Sequence, residues 1–254
     1  MRKGVHCESK ITAADQQALQ LLKQLACIGS SMVTLAPEVL PNGFIQTLSQ
    51  AGVTVSIGHS NASYEVAQAA LTDGVSGFTH LFNAMSPLTS REPGVVGAAL
   101  NDANSWCGVI VDGHHVHPCT LNIAIAAKNN VKSGKGKIML VTDAVHTVGV
   151  NGDTFNLAGK EVFRVAGKVT TAEGTLAGSD LDMASAVRNT VNMLGLPLEE
   201  ALRMASLYPA QFLGIEQKLG RIQPGYQADL ALLDSDLNVI NTWIKGKPDR
   251  DKCA

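Results

Sequence analysis

The chain alternates short apolar runs with amphipathic stretches, a pattern typical of strands followed by helices. Strands are predicted at residues 32–38, 54–60, 76–80, 105–112, 137–143 and, more weakly, 175–179. Helices are predicted over residues 13–27, 44–48, 63–71, 121–130, 182–193 and 198–213. Because strands that alternate with helices pair in parallel beneath right-handed crossovers, we expect an α/β fold with a parallel sheet. About six strands are fewer than the eight of a closed (β/α)₈ barrel, so an open doubly wound sheet is the alternative.

Two segments depart from this alternation. Residues 151–171 carry Gly152, Gly159 and Gly167 between short β-prone stretches, which indicates hairpins inserted after the strand that ends near residue 143. Residues 219–246 are also rich in predicted strands, with a turn at Pro224 and Gly225. This tail is expected to form a small appendage rather than another strand–helix unit.

Composition excludes several classes of protein. With 254 residues, 45% of them hydrophobic and 17% charged, the chain is predicted to bury a sizeable core. A formal net charge of -2 argues against an electrostatic nucleic-acid binder, and no apolar run is long enough for a membrane span. The N-terminus lacks the apolar stretch of a secretory signal. Five scattered cysteines without a CxxC pair favour a reducing cytoplasm over a disulfide framework.

Polar residues cluster where the predicted strands end, namely Glu38, His59, His80, Asp112 and Asp143. Loops that follow parallel strands converge on one face of the sheet, so His59 and His80 are expected to meet and bind one cation. Asp143 is placed to take a proton from a metal-activated water. Each residue alone has a structural explanation, as a core histidine or a helix cap, but together they favour a metal site.

Two further segments carry candidate chemistry. Arg91 with Gly94 and Gly97, in REPGVVG, is typical of a loop that faces an anion, although a glycine-rich turn with a solvated arginine explains the composition more simply. The HHVH run at residues 114–117 is expected to turn one histidine inward and leave others exposed. The sequence contains no GxxxxGK[ST], no GxGxxG after a strand and no GxSxG.

An ordered set of motifs covers nearly the whole chain: GHSNASYEVAQAAL, FTHLFNAMSPLTSREPGVVGAAL, CGVIVDGHHVHP, LVTDA, GTLAGSDLDMASAVRN, ASLYPAQFLG and LGRIQPGYQADLALLD. The set resembles the N-acetylglucosamine-6-phosphate deacetylases of the amidohydrolase superfamily. The THLFNAM and REPG elements are specific to that family, whereas the last motif is shared across the superfamily.

The resemblance implies a (β/α)₈ TIM barrel beside a small β-sandwich. Residues 1–218 would then form a partial barrel, and residues 219–254 would supply C-terminal strands of the sandwich. It further implies deacetylation of N-acetylglucosamine 6-phosphate in a cytoplasmic homodimer or higher homo-oligomer, with no nucleic-acid or membrane partner. One divalent metal is implied, zinc with iron as the alternative.

The resemblance also implies roles for individual residues. His59 and His80 match metal ligands, and Asp143 matches the catalytic acid/base. His6 corresponds to a histidine that polarises the substrate carbonyl, and Arg91 to an arginine that reaches the phosphate in the neighbouring subunit. The remaining substrate-contacting positions are Asn83, Ala84, His115, Leu176, Ala177, Gly178 and Ser179.

The sequence departs from the family at its start. The glutamate that supplies the family's third protein ligand belongs to an HLEGP motif, which this sequence lacks, and the first two barrel strands are not recognised. We therefore expect a truncated barrel with weak metal retention and low activity. Glu38, in TLAPE, is not assigned to the metal, because the family has a glutamate there in addition to its ligand.

Three other functions are weighed against this one. A non-catalytic remnant that binds sugar phosphate, or pairs with an intact subunit, is the main alternative. A cyclic-amide hydrolase is disfavoured by THLFNAM and REPG, and by the absence of a segment with a metal-bridging lysine. A phosphate-binding barrel isomerase would not need His59 and His80 together.

Overall fold

The computed structural model describes residues 2–4, 11–131, 134–157 and 159–249. Its central sheet has five parallel strands that follow one another in chain order. They are β1 (Met32–Leu35), β2 (Thr54–Ile57), β3 (Val75–Phe78), β4 (Trp106–Val109) and β5 (Ile138–Leu140). Sequential order with helical crossovers is the arrangement of an α/β barrel segment rather than of a doubly wound sheet, whose strand order reverses.

Eight helices are present in the described residues, together with a 3₁₀ turn at Pro37–Val39. They are α1 (Gln16–Ala26), α2 (Phe44–Gln50), α3 (Tyr64–Thr72), α4 (Gly94–Asn101), α5 (Pro118–Asn130), α6 (Met183–Leu194), α7 (Leu198–Ala205) and α8 (Leu207–Phe212). Side chains of Asp15, Ser63 and Asp182 cap α1, α3 and α6 by accepting backbone hydrogen bonds. The single helix predicted over residues 198–213 is wrong in one respect, because Ser206 separates α7 from α8.

The core lies between the parallel sheet and its helices. Val55, Ile57, Phe78 and Val109 on the strands are fully buried and pack with helical residues such as Leu121. Strands of this sheet carry few polar positions because both of their faces are covered. Burial of each large apolar side chain contributes about 1.5–3 kcal/mol.

The glycine-rich segment after Arg91 is a buried helix, so the prediction of a loop at Gly94 and Gly97 is wrong, while an anion near Arg91 stays a prediction. Every residue of α4 from Gly94 to Leu100 is buried. A Cβ on Gly97 would lie 2.3 Å from Pro93 Cβ, so this glycine permits close packing at the start of the helix. Arg91 lies before α4 and is exposed.

The predicted hairpins after β5 are confirmed. Strands β6 (Thr154–Leu157), β7 (Lys160–Val165), β8 (Lys168–Thr171) and β9 (Leu176–Ser179) form an antiparallel sheet. The expectation that residues 175–179 add a sixth parallel strand is wrong, since β9 pairs antiparallel with β8. A parallel bridge between Ala144 and Ser179 joins the end of β9 to the chain beyond β5.

The C-terminal part is rich in strands, as predicted. An antiparallel sheet contains β10 (Leu230–Leu233), β11 (Val239–Ile244) and β12 (Lys247–Pro248). The division of the chain at residues 218 and 219 stays a prediction. Among the described helices, none combines the length and apolar character needed to cross a lipid bilayer.

Candidate active site

Two histidines meet at the carboxyl ends of neighbouring strands. His59 follows β2 and His80 follows β3, and their Nε2 atoms lie 3.1 Å apart. The rings meet edge to face, with centroids 4.9 Å apart and an interplanar angle of 76°. The convergence that the sequence predicted for these two residues is present in the structure.

The backbone at the candidate catalytic residues is strained. His59, His80 and Asp143 have φ angles of 51°, 36° and 50°, in a region that non-glycine residues rarely adopt. Ala84, a predicted substrate-contacting residue, has φ 49°. Such conformations cost about 1–3 kcal/mol each and persist only where surrounding contacts enforce them.

The tautomer of His59 is set by a backbone carbonyl. Nδ1 of His59 lies 2.7 Å from the carbonyl oxygen of Arg2, which can only accept, so Nδ1 donates. Nε2 of the neutral ring therefore carries a lone pair that faces His80. A carbonyl behind the ring is the usual support for a metal-binding imidazole.

His80 is buried, and its Nδ1 has no hydrogen-bond partner among the described residues. Its Nε2 donates to His59 in the neutral pair, since His59 Nε2 is an acceptor. Both Nε2 lone pairs would be available to one cation if His80 carried its proton on Nδ1, the other neutral tautomer of the ring. Two nitrogens held tetrahedrally by one zinc lie about 3.3 Å apart, so the observed pair fits two zinc donors.

Within the described part of the chain, no group of three or more His, Cys, Asp or Glu side chains is arranged to hold a metal ion. Glu38 does not act as the third donor in this structure. Its Oε2 accepts from Ser60 Oγ at 2.7 Å, and its Oε1 accepts from the Asn61 N–H at 2.7 Å. The carboxylate thus holds the chain that follows His59.

Asp143 follows β5 and its side chain is exposed. Its backbone is held by β9: the Ser179 N–H donates to the Asp143 carbonyl at 2.9 Å, and Ser179 Oγ donates to the Thr142 carbonyl. Gly178 has φ 90°, and a Cβ there would lie 2.5 Å from Val145 Cγ1. The segment Leu176–Ser179, predicted to contact substrate, therefore also supports the loop that carries Asp143.

Asn83 lies in the turn that follows His80. Its side-chain amide donates to the carbonyls of His80 and Leu81, both at 3.3 Å. Ala84 accepts at 3.0 Å from the Ser60 N–H through its own carbonyl. Ala84 thus connects the two histidine loops to each other, while Asn83 stabilises the turn that follows His80.

Of the HHVH run, His115 is turned inward while His114 and His117 are exposed, as expected. His115 Nδ1 lies 2.5 Å from Asp112 Oδ2, and Asp112 Oδ1 accepts from the N–H groups of His114 and His115. Burial raises the pKa of Asp112, but the hydrogen bonds from His115 and His114 outweigh it and lower the pKa below its usual value. Sequence analysis did not predict this pair, although the Asp-x-x-His spacing after a strand could have indicated it.

Sequence reasoning missed Glu92, the neighbour of Arg91. Its Oε1 accepts from the N–H groups of Tyr64 and Gly94, both at 2.8 Å, and so caps α3 and α4 together. No ion pair of Arg91 is found within the described residues. His6 lies outside the described residues.

Comparisons with known proteins add to this geometry. The model of the amidohydrolase family matches residues 45–248. The N-acetylgalactosamine-6-phosphate deacetylase of Shewanella sp. (strain ANA-3) is 45% identical over 97% of this chain and 61% of its own length. The N-acetylglucosamine-6-phosphate deacetylase of Haemophilus influenzae is 36% identical, over 97% and 63%.

A solved structure agrees with these relatives. The crystal structure of N-acetylglucosamine-6-phosphate deacetylase from Pasteurella multocida superposes with a TM-score of 0.89 at 39% identity. The alignment covers 97% of this chain and 63% of that one, so the chain spans less than two thirds of the length of this protein and of the two relatives above. The expected barrel-type fold with missing strands and a small β portion is confirmed. The chain belongs to the amidohydrolase family.

Proposed function

We propose that this chain supplies the chemistry that deacetylates N-acetylglucosamine 6-phosphate to glucosamine 6-phosphate and acetate in amino sugar catabolism. The observation that carries the proposal is the 3.1 Å contact between the Nε2 atoms of His59 and His80 at the ends of adjacent strands. Relatives named as N-acetylhexosamine-6-phosphate deacetylases, such as those of Shewanella and Haemophilus, support it.

His59 and His80 are the residues that would hold a divalent metal, zinc with iron as the alternative. Amidohydrolases generally depend on a divalent metal. When bound, the cation supplies the Lewis acidity that activates a water molecule and polarises the acetamido carbonyl. Nδ1 of His59 keeps its proton on the Arg2 carbonyl, which aims the Nε2 lone pair away from the backbone.

Asp143 moves the proton in this reaction. Its exposed carboxylate takes a proton from the attacking water and returns it to the departing amine nitrogen, which leaves as a neutral group. β9 holds the Asp143 backbone through Ser179, which fixes the point from which the carboxylate reaches the substrate.

The phosphate is bound by His115 and Arg91. His115 is oriented by Asp112 through Nδ1, so Nε2 is the ring nitrogen left to contact an anion. Arg91, which is exposed, extends to the phosphate of a neighbouring subunit in a homodimer or higher homo-oligomer. Binding energy from the phosphate then orients the acetamido end.

The sugar and the acetamido group contact the remaining predicted residues. Asn83 and Ala84 lie beside His80, and Gly178 and Ser179 lie beside Asp143, with Leu176 and Ala177 before them on β9. His6 polarises the carbonyl in this proposal. A cytoplasmic location suits a phosphorylated sugar substrate.

A second candidate substrate is N-acetylgalactosamine 6-phosphate. The observation that favours it is the name of the Shewanella relative, which shares 45% identity with this chain, against 36% for the Haemophilus N-acetylglucosamine-6-phosphate deacetylase. The two sugars differ only in the configuration of one hydroxyl, so the proposed chemistry is the same for both.

Acetate release from both sugars, with zinc in excess, tests the proposal. We expect release that Asp143→Asn lowers by at least about 10²-fold, the usual contribution of a general acid/base. The ratio of kcat/KM for the two sugars decides between the epimers. A folded chain that binds zinc but releases no acetate from either sugar contradicts the proposal and leaves the non-catalytic remnant.

A further inference from the structure

Glu38 joins the end of β1 to the loop that follows β2. It lies in the 3₁₀ turn Pro37–Val39, and both carboxylate oxygens accept hydrogen bonds, from Ser60 Oγ and from the Asn61 N–H, each at 2.7 Å. Ser60 is fully buried. The contact is therefore a charge-assisted pair of bonds that crosses from one strand end to the next.

His59 immediately precedes Ser60 and Asn61, the two residues that Glu38 binds. A φ of 51° at His59 is disfavoured for an imidazole-bearing residue, so neighbouring contacts must enforce it. The Ser60 backbone is also hydrogen-bonded to the next loop. Its N–H donates to the Ala84 carbonyl at 3.0 Å, and its carbonyl accepts from the Ser86 N–H at 3.0 Å. Ser60 is therefore held by Glu38 through its side chain, and by Ala84 and Ser86 through its backbone.

We propose that Glu38 is the positioning residue of His59. Its carboxylate fixes the backbone after His59 so that Nδ1 stays on the Arg2 carbonyl and Nε2 faces His80. The inference rests on the proposed function, in which His59 and His80 hold the metal. It differs from a role as metal ligand, because both carboxylate oxygens are already engaged with Ser60 and Asn61.

Glu38→Gln is the primary variant, because it keeps the size of the side chain but replaces one acceptor oxygen by a donor group. Ser60→Ala is the second variant: it removes one of the two bonds and leaves Glu38 in place. The matched control is Asp234→Asn. Asp234 also accepts from two backbone N–H groups, those of Asp236 and Asn238, but in the loop between β10 and β11.

Two measurements are made on the full chain. The first records long-range ¹H–¹⁵N spectra of the imidazoles without metal, which report the tautomer of His59. The second determines zinc affinity by competition with a chelator. We expect Glu38→Gln to mix the His59 tautomers and to weaken zinc binding by about 10- to 100-fold, the usual effect of losing a supporting contact behind a metal ligand. Ser60→Ala weakens it less, and Asp234→Asn changes neither readout.

Two results would overturn the proposal. One is an unchanged His59 tautomer with zinc affinity within twofold of the wild type in both Glu38→Gln and Ser60→Ala. The other is loss of zinc binding in Glu38→Gln with an unchanged metal-free spectrum, which would make Glu38 a ligand. If the wild-type chain binds no zinc, the proposed function fails, while the metal-free spectra still decide the role of Glu38.

Discussion

The imidazole Nδ1 of His115 lies 2.5 Å from Oδ2 of Asp112, and the side chains of both residues are only 5% exposed. The other Asp112 oxygen accepts two backbone N–H groups. The pair thus fixes the ring of His115 and keeps Asp112 charged in a poorly solvated place.

Asp112→Asn is expected to destabilise the fold by about 1–3 kcal/mol at pH 7, because a charge-assisted bond to His115 is lost. The pKa of Asp112 is lowered in the fold, so its stabilising effect is fully present above the unfolded value, near 4, and disappears as the pH falls through the folded value. Urea unfolding of both proteins between pH 7 and pH 3 measures this. The difference in free energy of unfolding between wild type and variant should decrease below about pH 4. A difference that does not change with pH would contradict a stabilising role for the charge of Asp112.

Gly178→Ala is expected to cost more stability than Gly174→Ala. Both glycines have left-handed φ angles, 90° and 83°, so both alanines are strained by about 1–2 kcal/mol. Only at Gly178 does the added Cβ collide, 2.5 Å from Val145 Cγ1, while Gly174 has open space. Free energies of unfolding should therefore differ by about 1–3 kcal/mol between the variants. Equal losses of unfolding free energy in the two variants would show that Val145 and the neighbouring chain move aside at little cost.

Much of the fold follows from periodicity. All six predicted strands, five of them in the parallel sheet, and the hairpins over residues 151–171 are present because alternating apolar runs determine which faces can be buried. The sequence did not predict α4, because its glycines and small residues are typical of a loop. The structure shows that Gly97 is needed for close packing against Pro93. It also mistook β9 for a barrel strand, since a short run such as LAGS carries no information about its partner.

The candidate site was predictable to a different extent. Meeting of His59 and His80 follows from their places after adjacent strands. Their supports do not, because Arg2 contributes a backbone carbonyl and Glu38 reaches the loop from another strand end. Such contacts depend on tertiary distances that no local pattern encodes. Roles of individual residues in substrate binding stay predictions.

Lys128→Met is expected to destabilise the fold by about 1–3 kcal/mol, because buried acceptors lose their donor. The Lys128 ammonium is buried and donates to the Ala99 carbonyl, the Asp102 carbonyl and Ser105 Oγ, at 2.9, 2.5 and 3.1 Å. It thereby satisfies carbonyls at the C-terminal end of α4, which methionine would leave without a donor. Thermal and urea unfolding measure the loss. Lys135→Met, at an exposed lysine, serves as the control and should stay within about 0.5 kcal/mol of the wild type.

The three described cysteines should react with alkylating reagents at different rates. Burial raises the pKa of Cys107 to about 11, whereas Cys27 and Cys119 are exposed. Because the thiolate is the reactive form, iodoacetamide at pH 8 should label Cys27 and Cys119 within minutes and leave Cys107 unmodified until the chain is unfolded. Peptide mass spectrometry after timed quenching gives the extent at each site. Labelling of Cys107 at the rate of Cys119 in native protein would contradict its buried placement.

His59, His80 and Asp143 have left-handed backbone angles, which lower the stability of the fold at the three positions whose side chains the proposed reaction needs. Glycine or asparagine would adopt those angles with less strain, and neither offers an imidazole or a carboxylate. A library of variants selected only for resistance to heat should therefore drift toward those residues at these positions and lose hydrolysis as it does so. Two histidines and an aspartate at these positions therefore sacrifice backbone stability for the side chains that the proposed reaction uses.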